Sequence, residues 1–277
     1  MRVVVVGHVE WVEFARVDHV PGPGDIAHAE TLLQVPAGGG AVASVQLAKL
    51  AGSAVLFTAL GDDPLGRRAA QDLRSLGVRV EAVFRPEPQR RALTLTDRDG
   101  ERTITTLGEK HVPRADDPLP WDELDDADAV FFVCGDAAAL RRSRRARTVV
   151  ATSRVLPVLA EAGVALDAVI GSGRDVSERY RPGSLRPPPR LVVETHGREG
   201  GRFIMDDGRR GSVEPAELPG PMVDAYGCGD SFAAGVTYAL GAGSPVEEAL
   251  LFGSRCGAAC ATGRGPFAGQ LSLDPSA

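Results

Sequence analysis

The sequence predicts an α/β fold with a central, mostly parallel sheet flanked by helices and a small β lid. Short β-branched runs recur through the 277 residues, and helix-like segments separate several of them. Two turn-rich stretches break this alternation. A chain of this length can form one large domain, so we expect residues 1–277 to be a single domain.

The first apolar run, Arg2 to Val6, ends at Gly7 and is typical of a buried strand that delivers a loop to the edge of a sheet. Similar runs predict strands over residues 54–59, 129–133, 148–151, 168–170 and 191–195. Helices are predicted over residues 43–50, 66–76, 156–162 and 231–240. Strands that alternate with helices favour a parallel sheet covered on both faces.

The two turn-rich stretches that break the strand–helix alternation predict the lid. Residues 14–35 contain the turn Pro21-Gly22-Pro23-Gly24 followed by a candidate strand, and residues 92–107 alternate around Asp99-Gly100, a strong hairpin signal. We expect a lid formed by residues of about 10–35 and 88–110. An antiparallel extension of the main sheet is the alternative.

Composition argues against several classes of protein. Hydrophobic residues make up 43 % and charged residues 25 %, as in globular proteins, and the net charge of −6 argues against a general nucleic-acid binder. The arginine-rich segment 141–147 lacks interleaved aromatic residues and is interpreted as a solvated helix face. Four cysteines without a CxxC pair predict free thiols, and no apolar stretch is long enough to span a membrane. We therefore expect a cytoplasmic protein with no membrane or nucleic-acid partner.

The segment with the clearest chemistry is Val223 to Phe232, which precedes an apolar helix pattern. Gly227 and Gly229 allow a tight turn whose N–H groups, assisted by the helix dipole, stabilise an anion. Asp230 would repel a phosphate there unless it accepts a proton from a substrate hydroxyl during phosphoryl transfer. The alternative is that Asp230 only caps the helix.

This segment resembles the C-terminal signature of the ribokinase-like (PfkB) family of carbohydrate and nucleoside kinases. Three further motifs follow the order found in that family: Gly38-Gly39-Gly40-Ala41-Val42-Ala43-Ser44, Gly61-Asp62-Asp63-Pro64-Leu65-Gly66 and Thr195-His196-Gly197-Arg198-Glu199-Gly200-Gly201. The resemblance covers nearly the whole chain, and four ordered motifs are far more specific than any one of them.

The resemblance implies a three-layer ribokinase-like fold and transfer of the γ-phosphate of ATP to a hydroxyl of a small sugar or nucleoside. It implies that Asp230 is the general base and that Gly227, Cys228 and Gly229 form the anion hole. Nucleotide would lie against Thr195, Gly197, Gly200 and Ser254. The family also implies Mg²⁺ and a homodimer formed through the lid, and it leaves a monovalent-cation requirement open.

Three departures from the family pattern bear on the substrate and the metal. Gly39 and Gly40 are predicted to approach sugar hydroxyls, but Ser44 stands where the family usually has Asn. The family's diol-binding Asp aligns with Val12, so Glu13 or Glu10 takes that role or the substrate lacks the diol.

The acid that organises water around magnesium in the family aligns with Asp175, and Glu178 is a fallback. These departures keep two alternatives open, a nucleoside kinase of the same fold and a catalytically degenerate protein that binds sugar or nucleotide. A dinucleotide-binding oxidoreductase is disfavoured, because no G-x-G-x-x-G follows the first strand.

Overall fold

A computed structural model describes residues 1–98 and 102–273 and contains two β-sheets. The main sheet has the order β13-β12-β11-β10-β9-β8-β1-β4-β5 in this part of the chain. Its strands are β1 (Val3–Val6), β4 (Ala54–Gly61), β5 (Val78–Arg85), β8 (Ala129–Phe132), β9 (Thr148–Thr152), β10 (Ala168–Ser172), β11 (Leu191–Thr195), β12 (Gly201–Met205) and β13 (Arg210–Val213). Neighbours from β5 to β11 pair in parallel, whereas β12 and β13 add an antiparallel edge.

Helices cover both faces of the main sheet. They are α1 (Gly39–Ala51), α2 (Pro64–Ser75), α3 (Ala137–Ser143), α4 (Leu156–Ala162), α5 (Cys228–Gly241) and α6 (Val246–Cys260). Strand β1 explains the layering, because Val3 and Val5 join the core that contains α1 and α5, while Val4 and Val6 join the core that contains α3 and α4. Alternate side chains of a strand point to opposite faces, so an all-valine strand requires apolar cover on both.

The lid is a separate four-stranded sheet, with the order β3-β2-β6-β7. It consists of β2 (Glu10–Arg16), β3 (Glu30–Ala37), β6 (Arg91–Thr96) and β7 (Arg102–Leu107). Val12 and Phe14 pack with Val42 of α1 and with Tyr226, which precedes α5. This cluster fixes the lid sheet over the starts of both helices.

The fold-class prediction is confirmed, and the alternative of an antiparallel extension of the main sheet is wrong for the lid strands. Strands β6 and β7 pair as the predicted hairpin, although Asp99 and Gly100 lie outside the described residues. Asp63 caps α2 by accepting a hydrogen bond from the Gly66 N–H at 2.8 Å.

The interpretation of the arginine-rich segment needs correction, because α3 ends at Ser143 and only Arg141 and Arg142 lie on it. Beyond the helix, Arg144 pairs with Asp167 and Arg145 pairs with Asp122 and Asp125. Acidic residues from other elements therefore neutralise much of the positive charge of this arginine-rich segment. No helix within the described residues is long and apolar enough to cross a bilayer.

Candidate active site

One cavity of about 520 Å³ lies between the lid and the carboxyl ends of the central strands. His8 follows β1, Arg154 follows β9, and Ser172 and Thr195 end β10 and β11. All four residues line the cavity. Side chains at the carboxyl ends of parallel strands meet along one edge of a sheet, which is where open α/β sheets bind ligands.

Two helices begin at this cavity. Gly227 precedes α5 with a φ of 80°, so its backbone lies in the left-handed region, and no side chain caps the helix. The first-turn N–H groups of a helix lack partners within the helix and carry the positive end of its dipole. Gly39 begins α1 so close by that a Cβ added there would lie 3.1 Å from Asp230 Oδ1. The residues at this junction therefore form a compact site suited to an anion.

Asp230 lies in the first turn of α5 and lines the cavity, and it does not cap the helix. Its Oδ1 accepts a hydrogen bond from Arg154 Nη1 at 2.9 Å. Arg154 Nε donates at 2.9 Å to Glu178, whose other oxygen accepts from the Ser172 N–H at 2.8 Å. The two carboxylates raise the pKa of Arg154, and the contribution of Asp230 is the largest. Arg154 is therefore a fixed positive charge beside the candidate base.

A second wall of the cavity contains His8 and Glu10, which are both buried. Glu10 Oε1 lies 2.8 Å from Arg90 Nε and 3.9 Å from His8 Nε2. His8 Nδ1 lies 3.4 Å from the Cys134 thiol. Burial, together with the positive charges of Lys110, Arg154 and Arg90, lowers the pKa of His8 well below 6.5. His8 is therefore neutral near pH 7, and this wall offers a neutral imidazole beside a paired carboxylate.

The third wall is formed by the ends of β10 and β11. Ser172, Thr195 and Gly197 line the cavity there, together with Arg174. The Thr195 hydroxyl donates to the Gly171 carbonyl at 3.3 Å, and Arg174 pairs with Glu199 at 2.9 Å. Small polar groups and backbone thus dominate this wall, which leaves room for a flat or extended ligand.

The pfkB family model, described as the pfkB family carbohydrate kinase, matches residues 1–154 and 175–271 of the chain. This chain belongs to the pfkB family of carbohydrate kinases. The kinase is 31 % identical over 274 residues to the ATP-dependent ribose-1-phosphate kinase of Halopiger xanaduensis, covering 93 % of this chain and 91 % of the relative.

Solved structures agree on the fold. A microbiome-derived acarbose kinase superposes with a TM-score of 0.83 at 22 % identity, covering 99 % of this chain and 96 % of that one. A ribokinase of Arabidopsis thaliana, solved with ribose and ATP, superposes with a TM-score of 0.74 at 18 % identity, covering 97 % and 96 % of the two chains. The predicted family and ribokinase-like fold are confirmed.

The structure places eight predicted site residues of the kinase on the cavity wall: Glu10, Gly39, Thr195, Gly197, Gly227, Cys228, Gly229 and Asp230. Six others lie outside the residues that line it: Glu13, Gly40, Ser44, Asp175, Gly200 and Ser254. Ser44 is fully buried in α1 and donates to the Ala41 carbonyl at 2.8 Å. Glu13 lies one residue beyond Val12 on β2, so its side chain points away from the face that carries Glu10.

The residue predicted to hold the metal's water, Asp175, does not line the cavity, but the fallback residue Glu178 does. Asp175 is exposed and its carboxylate accepts from the N–H and hydroxyl of Ser177, whereas the buried Glu178 lines the cavity. Within the described ranges, no three His, Cys, Asp or Glu side chains cluster closely enough to hold a metal ion. A cavity whose described residues include few carboxylates and no such cluster suits an ion such as Mg²⁺, which keeps water ligands and would be held mainly by substrate phosphates.

Sequence reasoning missed His8, Arg154 and Tyr226, and it ranked Glu178 second. A signal was present for two of them, because His8 and Arg154 each follow a predicted strand by one to three residues. Residues that follow parallel strands gather at one sheet edge. Tyr226 and Glu178 had no such signal, because they reach the cavity from loops whose paths depend on tertiary packing.

Proposed function

We propose that this kinase transfers the γ-phosphoryl group of ATP to a hydroxyl group of a small sugar, with Asp230 as the general base. Asp230 accepts the hydroxyl proton as the acceptor oxygen attacks phosphorus and ADP leaves with the electrons of the broken P–O bond. The turn at Gly227, Cys228 and Gly229 holds the charge that develops on the phosphoryl oxygens.

The observation that carries this proposal is the position of Asp230 between two different walls of one cavity. On one side, Asp230 is linked through Arg154 and Glu178 to the backbone of Ser172. On the other side it lies beside Gly39. A Cβ added at the preceding Gly38 would lie 3.2 Å from the His8 ring and 3.3 Å from Glu10 Cγ. A phosphoryl transferase needs an acceptor and a donor in line across an anion site. We therefore assign the acceptor to the wall of His8 and Glu10, together with Gly39, and ATP to the wall at the ends of β10 and β11.

The magnesium complex of ATP supplies charge neutralisation when it binds. We assign Glu178 to hold a water of that complex, because it is buried and lines the cavity on the wall of Ser172 and Thr195. Asp175 is exposed, lies outside the residues that line the cavity, and accepts from Ser177 as a turn residue.

The test is acceptor-dependent release of ADP. The protein would be incubated with Mg-ATP and ribose, fructose, 2-keto-3-deoxygluconate, adenosine, cytidine or inosine, with Asp230→Asn in parallel. Turnover with a sugar that the substitution abolishes supports the proposal. Turnover restricted to a nucleoside supports a nucleoside kinase, and thermal stabilisation by ATP or sugar without turnover supports a degenerate binding protein.

A phosphorylated sugar is a second candidate acceptor, because Arg102 of the lid lines the cavity. Among the described residues Arg102 pairs with Asp224 at 4.0 Å, and this carboxylate already accepts hydrogen bonds from the N–H groups of Tyr226 and Gly265. A guanidinium group is well suited to a phosphate, and the relative in Halopiger xanaduensis is named for ribose-1-phosphate. If this candidate is right, Arg102→Gln raises KM for ribose-1-phosphate and leaves KM for ribose unchanged.

We also propose that the chain acts as one domain and forms a homodimer through the lid. Strand β7 is at the edge of the lid sheet, all six of its residues are exposed, and they include Ile104 and Leu107. An exposed edge strand with apolar side chains is a site for pairing with another chain. Sedimentation of the native protein and of Ile104→Lys tests this, since a monomeric native protein would contradict it.

A further inference from the structure

Arg154 links the candidate base to a second carboxylate. Its Nη1 donates to Asp230 and its Nε donates to Glu178, each at 2.9 Å. Glu178 is 7 % exposed and is also held by the Ser172 N–H, whereas 47 % of the Arg154 side chain is exposed. The Glu178 end of the guanidinium is therefore anchored, and the Asp230 end faces the cavity.

The contact with Asp230 is unfavourable for the proposed chemistry. A hydrogen bond from a permanent cation stabilises the ionised form of a carboxylate and so opposes uptake of a proton. Asp230 must take up the acceptor proton during transfer. An arginine that stayed on this carboxylate would slow the step, whereas release of Nη1 from Oδ1 would favour proton uptake.

The space around Arg154 Nη1, at the starts of α1 and α5, can hold a phosphoryl group. A Cβ added at Gly39 would lie 3.1 Å from Asp230 Oδ1 and 3.6 Å from Arg154 Nη1, so both groups lie over the start of α1. At Gly229, in the first turn of α5, an added Cβ would meet no atom within 4 Å. Gly39 thus lets Asp230 and Arg154 approach the start of α1, and Gly229 leaves open space beside the start of α5. A phosphoryl group bonded to a hydroxyl at Asp230 would occupy this space.

We propose that Arg154 is a catalytic residue that exchanges Asp230 for the phosphoryl group as transfer proceeds. This inference rests on the proposed function. The acceptor oxygen forms its bond to phosphorus while the bond between phosphorus and the bridging oxygen of ADP breaks. The acceptor proton goes to Asp230, and Nη1 moves from Oδ1 to an equatorial phosphoryl oxygen. Nε keeps its hydrogen bond to Glu178, which acts as the pivot.

The exchange brings the positive guanidinium of Arg154 to the phosphoryl oxygens, where negative charge develops. Arginine donates several hydrogen bonds from one planar group and is well matched to phosphate oxygens. Removal of its contact frees Asp230 to accept the proton at the stage when negative charge on the phosphoryl oxygens attracts the guanidinium. One side chain therefore couples proton transfer to stabilisation of the transferring group.

The experiment compares Arg154→Ala and Arg154→Lys with a matched control, Arg145→Ala. Arg145 also pairs with two carboxylates, Asp122 and Asp125, and 41 % of its side chain is exposed, but it is not among the cavity residues. We expect Arg154→Ala to lower kcat by about 10³-fold, at the low end of the effect of arginines that contact a transferring phosphoryl group. We expect Arg145→Ala to leave kcat unchanged.

Rescue by free guanidinium separates a catalytic role from a structural one. Added at concentrations that leave native activity unchanged, guanidinium should restore part of the kcat of Arg154→Ala, while Arg154→Lys should keep more activity than Arg154→Ala. Thermal melting of each variant checks folding. A native-like kcat in Arg154→Ala overturns the inference, as does a loss of kcat in folded Arg154→Ala that guanidinium does not restore.

If Arg154→Ala does not fold, Arg154→Lys decides, because a Lys variant with native kcat would also overturn the inference. Asp230→Asn distinguishes this failure from failure of the proposed function. An inactive Asp230→Asn beside a fully active Arg154→Ala rejects only the exchange. A fully active Asp230→Asn rejects the proposed mechanism itself.

Discussion

The proposed reaction end of the cavity, around Asp230, and the proposed acceptor wall, around His8 and Glu10, are built in different ways. At the reaction end, backbone geometry dominates: the left-handed Gly227, the start of α5 and the close approach of Gly39 to Asp230. The acceptor wall depends on side-chain pairs, Glu10 with Arg90 and His8 with Cys134. A backbone site can serve one reaction with many acceptors, whereas side-chain pairs distinguish one acceptor from another. Substitutions should therefore affect kcat at the first region and KM at the second.

Asp230→Asn should have the largest effect. The variant keeps the shape of the side chain but removes its capacity to accept the proton, so we expect kcat to fall by about 10²–10⁴-fold, the usual contribution of a general base. Steady-state ADP release measures this, and Asp122→Asn, which weakens an arginine pair outside the cavity, is the control. A native kcat in Asp230→Asn would remove the proposed base.

Gly227→Ala should come next. Ala is strained at a φ of 80°, and its Cβ would lie 2.9 Å from Val42 Cγ1, so the turn before α5 must shift. We expect kcat to fall by about 10²-fold, as when one anion-hole donor is lost. Gly24→Ala is a matched control, because Gly24 has a φ of 89° and an added Cβ there meets no atom within 4 Å. Equal kcat losses in both variants would contradict a special role for the turn.

Glu10→Gln tests the acceptor wall. Loss of the charge that pairs with Arg90 should weaken binding of the acceptor and raise its KM about 10-fold, with kcat nearly unchanged, because the interaction is present in both ground and transition states. Glu81→Gln, which weakens the pair with Arg79 on β5, is the control. A fall in kcat without a change in KM would place Glu10 with the reaction end instead.

His8→Gln should have the smallest effect, and it concerns stability. The folded-state pKa of His8 lies below its ordinary value of 6.5, chiefly because of burial, so the unfolded chain binds the proton more readily. Its contribution to stability is present above pH 6.5 and is lost as the pH falls toward the folded-state pKa.

Thermal or urea unfolding between pH 7 and pH 5 measures this dependence. His8→Gln should be less sensitive to acid than the native protein. His19→Gln, at an exposed position, is the control variant. An unchanged acid sensitivity in His8→Gln would mean that other groups control stability in this range.

The sequence determined the layered sheet because β1, β4, β8, β9, β10 and β11 are apolar, β-branched runs. It did not reveal β5, whose charged residues alternate with valines at an edge of the main sheet, the short strand β12, or the edge strand β13. Edge strands bury less surface and so leave a weaker apolar pattern. Similarly, α6 was missed although it packs against α5 as part of the core.

The sequence alone also predicted the turn at the proposed reaction end, because Gly227 to Asp230 are contiguous and a left-handed turn followed by a helix start is encoded locally. Tertiary structure decided what surrounds Asp230. Arg154 and Glu178 lie 76 and 52 residues away along the chain, and only the parallel order of β9 and β10 brings them to its carboxylate. It likewise placed Glu10 on the cavity wall and Glu13 outside, since adjacent strand residues face opposite sides. Contacts between distant segments depend on topology, which no local pattern specifies.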